Sequence, residues 1–343
     1  MKKELFHVHQ LRLEVTRRCN LTCLHCCLGE PQNQDIKDEV VDQVFNKVKF
    51  VDELVFGGGE SSLAVDKLKY ILKSIKENNV FIGGLQVTTN AVSNTKEFIE
   101  VIKDYEDYIV TLMDLKREDY VGSGNIINVN NNRVYNLEQK MWIDKDKKFP
   151  PIALAISEDK YHNESVDRMY GMENDKREEN FRLLLEDFAV LDVSNYAKYE
   201  ENVQVLINSG RAKDLTNVYK IEPVKEGLVL ALEERDGFDV YKVAPLLTIT
   251  CDGLVTNVGC NSYEAGDKMA SGNILEEDFL NLLFKLNPAL IIRKEEFNGK
   301  SDEISEKIMS IDGREMIRAA RFNYSINPTN SIEVESEKIH RSF

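Results

Sequence analysis

Four of the chain's six cysteines fall in one stretch, "VTRRCNLTCLHCC", from Val15 to Cys27. A packed core needs no such crowding, so these thiols bind something or exchange electrons. Cys19, Cys23 and Cys26 have the spacing C-x3-C-x2-C. Three thiolates on one short loop can hold three corners of a cubane iron–sulfur cluster, whose usual complement is four cysteines. The missing fourth leaves one iron open, and an open coordination position is where a metal site does chemistry. Zinc is the alternative. It needs a further donor, from His25 or Cys27 or from Cys251 and Cys260. Ligands at adjacent positions are hard to aim at one tetrahedral ion, and there is no second C-x2-C pair.

A second stretch, "FGGGESS" from Phe56 to Ser62, puts consecutive glycines in front of a carboxylate, Glu60. Glycines there allow positive φ and a close backbone approach to a ligand. A phosphate-binding loop is excluded, because no G-x-x-x-x-G-K-[ST] follows.

Both stretches follow strands. "LRLEVT" (Leu11 to Thr16) alternates apolar and polar residues and runs into the cysteine loop, and "ELVF" (Glu53 to Phe56) reads as a short buried strand before the glycines. Between them Asp35 is placed to cap a helix whose apolar face is Val40, Val41, Val44, Phe45 and Val48. A helix over about 62–79, a strand "LQVTTN" (Leu85 to Asn90) and a helix near 96–105 continue the alternation. Strands follow at "IALAIS" (Ile152 to Ser157) and near "NVQVLI" (Asn202 to Ile207), with a helix at 175–188 between them. Such repetition predicts a parallel sheet with helices outside it, an α/β fold of barrel or open-sheet type. The polar, turn-rich residues 116–148 read as an insertion at the sheet rim, a solvated loop or small hairpin. After about residue 215, β-forming residues and two Asp-Gly pairs (Asp236-Gly237, Asp252-Gly253) predict antiparallel hairpins, then helices and a charged tail. His7 and His9 alternate along an extended segment and read as structural; His162 reads as a solvated rim residue.

The 343 residues are 42% hydrophobic and 30% charged, a composition of globular proteins. A net charge of −15 argues against non-specific nucleic-acid binding. No apolar run reaches the roughly 20 residues that span a bilayer, and the N-terminus lacks a signal-peptide pattern, so the expected location is the cytoplasm, with no membrane partner. Clustered cysteines in that compartment are metal ligands or redox groups more often than disulfides.

The cysteine loop after the first strand resembles that of the radical S-adenosylmethionine (radical SAM) superfamily, and Gly58, Gly59 and Glu60 resemble that family's Gly-Gly-Glu motif after the second strand. The resemblance implies a partial (β/α)6 TIM-like barrel over residues 1–215 and a [4Fe–4S] cluster held by Cys19, Cys23 and Cys26. It also implies SAM bound by its amino group at Gly58, Gly59 and Glu60, with Ser61 standing where the family often has proline, so that a side chain added at Gly59 is expected to fill SAM's space while leaving the cysteines untouched. His25 stands at a commonly aromatic position and is expected to stack on the adenine. Asn90, Ser157 and Arg211 resemble strand-end residues that contact the cofactor, Ser157 (with Asp159) at the ribose and Arg211 at the carboxylate. Residues 216–343, through "LLTITCDGLVTNVGC…GNI", resemble a degenerate SPASM/twitch-type extension of peptide-modifying members, here a small α+β unit with a helical tail. Its two cysteines fall short of a second cluster. Cys251 and Cys260 are instead candidate hydrogen-atom donors, beside the alternative of small buried residues. The implied activity is reductive cleavage of SAM to a 5′-deoxyadenosyl radical that takes hydrogen from a substrate, with an external electron donor such as a flavodoxin or ferredoxin. The extension favours a peptide or protein side chain as substrate. A small metabolite or nucleotide, or a non-enzymatic zinc- or cluster-binding module, are the other readings.

Overall fold

The computed structural model describes residues 3–93, 95–128, 133–136, 141–143, 150–157, 159–171, 175–191, 205–216, 218–222, 228–235, 238–258, 262–286 and 292–294. Its first strand, β1 (Lys3–Thr16), buries Phe6, Val8, Leu11, Leu13 and Val15 and delivers the chain to the cysteine loop. After α1 (Asp38–Lys47), β2 (Val48–Gly58) returns parallel to β1. Val48, expected on the helix, opens that strand. Asp35 does not cap α1 either. It accepts the Thr16 hydroxyl at 2.6 Å and a two-pronged contact from Arg18 at 2.8 Å, so it shapes the start of the cysteine loop.

The alternation then proceeds through α2 (Val65–Glu77), the short β3 (Phe81–Ile82), β4 (Leu85–Thr89) and α3 (Thr95–Met113). α2 turns Leu68, Ile71, Leu72 and Ile75 to the sheet at helical spacing, and α3 does the same with Phe98, Ile102, Tyr105 and Ile109. Truncating one such fully buried side chain, Leu68 for example, costs about 2–5 kcal/mol.

The rim insertion holds β5 (Asn125–Asn128), β6 (Arg133–Asn136) and β7 (Met141–Ile143). β5 and β6 form an antiparallel pair, as a hairpin would. β5 also lies parallel to β9, so the segment extends the sheet instead of forming a solvated loop. β8 (Ile152–Ile156), α4 (Lys160–Tyr170), α5 (Asp175–Asp187) and β9 (Val190–Leu191) complete the parallel run β1-β2-β4-β8-β9. α4 is absent from the sequence reading, because its mostly polar residues bury only Ser165 and Val166.

β10 (Val205–Ile207) pairs with β11 (Tyr219–Ile221) in a separate two-stranded sheet, so among the described residues it does not supply the expected sixth barrel strand. β12 (Val229–Arg235) and β13 (Phe238–Ile249) are antiparallel, and β14 (Val255–Thr256) folds back on β13. β13 also runs parallel beside β1, so the main sheet continues past residue 215. α6 (Tyr263–Met269), α7 (Phe279–Leu286) and β15 (Ile292–Lys294) follow, and the expected tail lies outside the described residues. The parallel strands with helices outside them make the expected partial (β/α) barrel with added α+β elements. No helix among the described residues is long and apolar enough to cross a membrane.

His7 and His9 serve the core. Both reach across to Asp52 on β2, His7 Nε2 to Oδ1 at 2.7 Å and His9 Nδ1 to Oδ2 at 2.9 Å.

Candidate functional site

The site forms where β1, β2, β4 and β8 end, the face on which barrel enzymes build their chemistry. Cys19, Cys23 and Cys26 pack into one small apolar cluster with Leu21, Val92 and Val166, which Cys27 does not join. Burial pushes the Cys19 thiol up to about 12 and the Cys23 thiol up to about 11. Thiols this reluctant to ionise become thiolates only beside a cation, which cluster iron would supply.

The loop is held at every turn. Arg17 donates through Nε to Glu14 at 2.9 Å and through its terminal nitrogens to Asp267 at 2.8 and 3.2 Å. Its guanidinium also lies 4.8 Å from the ring centre of Tyr263. From α4, the Ser165 hydroxyl accepts the Thr22 amide at 2.9 Å and Arg168 donates to the Thr22 carbonyl at 2.8 Å.

The glycine stretch is packed against this loop. The amide of Gly59 donates to Thr16 O at 2.7 Å and that of Glu60 to Arg18 O at 2.8 Å. A β-carbon at Gly59 would stand 2.0 Å from the Arg18 carbonyl oxygen, and one at Gly58 2.1 Å from that of Thr16. Gly58 also has φ of +105°, which favours glycine. The tight approach is thus to the chain's own backbone beside Cys19, a correction to the expectation that a Gly59 side chain would spare the cysteines. Glu60 itself is buried. Its carboxylate accepts from the Thr89 hydroxyl at 2.7 Å, the Asn90 amide at 2.8 Å and the Ser62 amide at 3.2 Å. All three of these donors are neutral groups.

Asn90 joins the same network, donating its side-chain amide to Asn20 Oδ1 at 2.7 Å. The Ser157 amide donates to Thr89 O at 2.8 Å, tying β8 to β4. Arg177, unremarked in the sequence, gathers these ends. It donates to Asn90 O at 3.1 Å, Ser157 O at 2.5 Å and Asn163 Oδ1 at 2.6 Å.

Other expected residues are placed differently. Arg211 donates to Cys23 O at 2.9 Å and to Glu30 at 3.1 Å, and its amide bonds Cys26 O at 2.9 Å. It braces the cysteine loop, where a cofactor carboxylate was expected as its partner. His25 stacks on Tyr161 at 4.9 Å between centroids, so one face is already covered. His162 is no solvated rim residue: its Nδ1 lies 2.7 Å from Asp159, and it meets the His25 ring edge-on at 4.7 Å. Cys251 is fully buried, and its thiol donates to Glu14 O at 3.0 Å, the placement of a packing residue rather than of a hydrogen donor facing a substrate. Cys260 lies outside the described residues.

Residues 13–116 match the Radical SAM superfamily. A GTP 3′,8-cyclase of Clostridium botulinum (strain Okra / Type B1) is 30% identical over 119 residues, which are 33% of this chain and 37% of the cyclase. The chain thus spans little more than a third of that relative's length. Among solved structures, SuiB of Streptococcus suis bound to S-adenosylmethionine aligns with 83% of this chain and 67% of its own, at 13% identity and a TM-score of 0.34. Native anSMEcpe with bound AdoMet and Cp18Cys peptide aligns over 94% and 97%, at 13% identity and a TM-score of 0.40. The cysteine spacing, its place after β1 and the Gly-Gly-Glu turn after β2 all lie inside the segment that matches the Radical SAM superfamily.

Proposed function

We propose that this chain is a radical SAM enzyme, holding a [4Fe–4S] cluster through Cys19, Cys23 and Cys26 and SAM beside it. The observation that carries this reading is the gathering of three thiols, Cys23 buried and Cys19 and Cys26 half-buried, next to a buried carboxylate, Glu60, whose three hydrogen-bond donors are neutral. When bound, the two groups supply one-electron reductive cleavage and hydrogen-atom abstraction.

The chain's own residues do the rest. Glu60, aimed by Thr89, Ser62 and the Asn90 amide, offers its charge to the ammonium of the methionine moiety. Arg211 and Arg17 fix the two ends of the cysteine loop, and α4 closes over Thr22. Cys23 is buried, which keeps water and oxidants from that thiol. An external one-electron donor of the flavodoxin or ferredoxin class completes the reaction.

For the substrate we propose a peptide or protein side chain, from the resemblance of "TCDGLVTNVGC…GNI" to the extension of peptide-modifying members. The similarity of 119 residues to a GTP 3′,8-cyclase favours a second reading, a nucleotide. The test is anaerobic reconstitution followed by reduction in the presence of SAM. Production of 5′-deoxyadenosine is the expected result, and a protein that takes up zinc and leaves SAM intact contradicts it. Consumption of added GTP would select the second reading.

A further inference from the structure

Arg17 stands two positions before Cys19 and is only 3% exposed, yet a guanidinium never gives up its charge. A buried cation of this kind is stable only where its charge and its donors are met. Glu14 meets one side, accepting from Nε at 2.9 Å. Asp267 meets the other as a fork, its Oδ1 accepting from one terminal nitrogen at 2.8 Å and its Oδ2 from the second at 3.2 Å. Gln32 Oε1 accepts a further bond at 3.2 Å, and the Tyr263 ring lies against the guanidinium. Two carboxylates thus face one cation, and the group is negative on balance.

Most of this support comes from the extension. Asp267 and Tyr263 belong to α6, and the Cys251 amide, at the end of β13, donates to Glu14 at 3.0 Å. The Tyr263 amide also donates to Leu28 O at 3.0 Å, at the far end of the cysteine loop. All three residues lie outside the segment 13–116 that matches the superfamily. Glu264, on the same helix, is 80% exposed and pairs with Lys268 instead, so the contact with the loop is particular to Asp267.

We propose that Asp267 is a positioning residue through which the extension acts on the cysteine loop, holding Arg17 and lowering the reduction potential of the cluster beside it. The proposal rests on the cluster reading above and gives an extension with only two cysteines a task on the first cluster. Reduction adds negative charge to the cluster, and iron–sulfur potentials follow the net charge and hydrogen bonds around it. A carboxylate held on the loop opposes that added charge, and burial of its partner keeps water from screening the effect. The reduced cluster is then the stronger electron donor.

The test is a redox titration of the reconstituted protein, followed by electron paramagnetic resonance. Asp267→Asn keeps an oxygen that accepts from Arg17 but removes one negative charge. Its midpoint is expected to move to a more positive potential, the reduced-to-oxidised ratio at a fixed poise rising several-fold, with iron still at about four per chain. Asp267→Glu is expected to bring the midpoint back towards the wild-type value. Glu264→Gln makes the same change of charge on the solvent side of α6 and is expected to leave the midpoint in place. An unchanged midpoint in Asp267→Asn with full iron, or an equal shift in Glu264→Gln, would overturn the proposal while leaving the cluster reading standing. Should Asp267→Asn lose its iron, the double variant Arg17→Gln, Asp267→Asn removes the uncompensated cation. Iron restored in it supports the clamp, and iron still absent overturns it. A wild type that holds no iron overturns the cluster reading and the proposal with it.

Discussion

Two carboxylates in this fold each serve two imidazoles, and they stand at opposite ends of the sheet. Asp52, in the first half of β2, takes His7 and His9 from the neighbouring strand. Asp159, just past the end of β8, takes His25 and His162. His7 Nδ1, like His25 Nδ1, is buried without a partner, with Phe50 edge-on at 5.9 Å. A bare imidazole nitrogen is therefore not in itself a binding site. Asp52 only fastens two strands, whereas Asp159 also starts a helix and sets a ring inside the cysteine loop. The same trio of one aspartate and two histidines fastens strands at one end and stands beside the cysteine loop at the other, the face on which barrel enzymes build their sites.

The largest effect separates the cysteines. Replacing Cys19, Cys23 or Cys26 by Ala is expected to abolish cluster retention, while Cys27→Ala keeps about four irons per chain, measured as iron and sulfide after reconstitution. Equal loss in Cys27→Ala would contradict the ligand set. Next comes Gly59→Val. Its β-carbon meets the Arg18 carbonyl, so the expected outcome is loss of both iron and SAM binding, with destabilisation of about 3 kcal/mol. A Gly59→Val protein with full iron but no SAM affinity would return the glycine to ligand contact.

Asp52→Asn tests the structural end and is expected to cost about 2–3 kcal/mol near pH 5.5 while leaving SAM affinity unchanged. Burial raises the Asp52 pKa, but His7 and His9 outweigh it and hold the carboxyl far below the usual range. Its contribution is therefore complete above the unfolded value of about 3.9 and is lost as pH falls below it. The hydrogen bond to Asp52 raises the His9 pKa, so that contribution is complete below about 6.5 and is lost as pH rises through the raised value. The gap between wild-type and variant stability, followed by urea unfolding, should be widest between about pH 4 and 6.5 and narrow on both sides. A gap independent of pH would break the comparison. The smallest effect is expected from Arg177→Met, which frees the carbonyls of Asn90 and Ser157. A several-fold weaker SAM affinity with iron content intact is predicted, and unchanged affinity would make Arg177 a surface tie only.

What was legible in the sequence follows from the range of the forces involved. The cysteine spacing, the glycines and the apolar faces of α1, α2 and α3 are local patterns, and the structure keeps them. A carboxylate before a helix has the local pattern of a cap, yet Asp35 bonds Thr16 and Arg18 at the start of the cysteine loop. α4 was missed because a helix that buries little has a weak apolar period, and its partners lie some 140 residues earlier at Thr22. The surroundings of Arg211 and His162 are set over the same range. Their partners, Cys23 O and Asp159 shared with His25, are settled only when distant strands align.

The central claim, that the three-cysteine loop presents a cluster with an open iron to SAM, is met most directly by electron paramagnetic resonance of the reduced, reconstituted protein with and without SAM. A [4Fe–4S] signal that SAM shifts is predicted in the wild type, with the shift weakened in Glu60→Gln, which keeps a buried amide where the carboxylate stood. A signal identical with and without saturating SAM, or a protein that reconstitutes only with zinc, would contradict it.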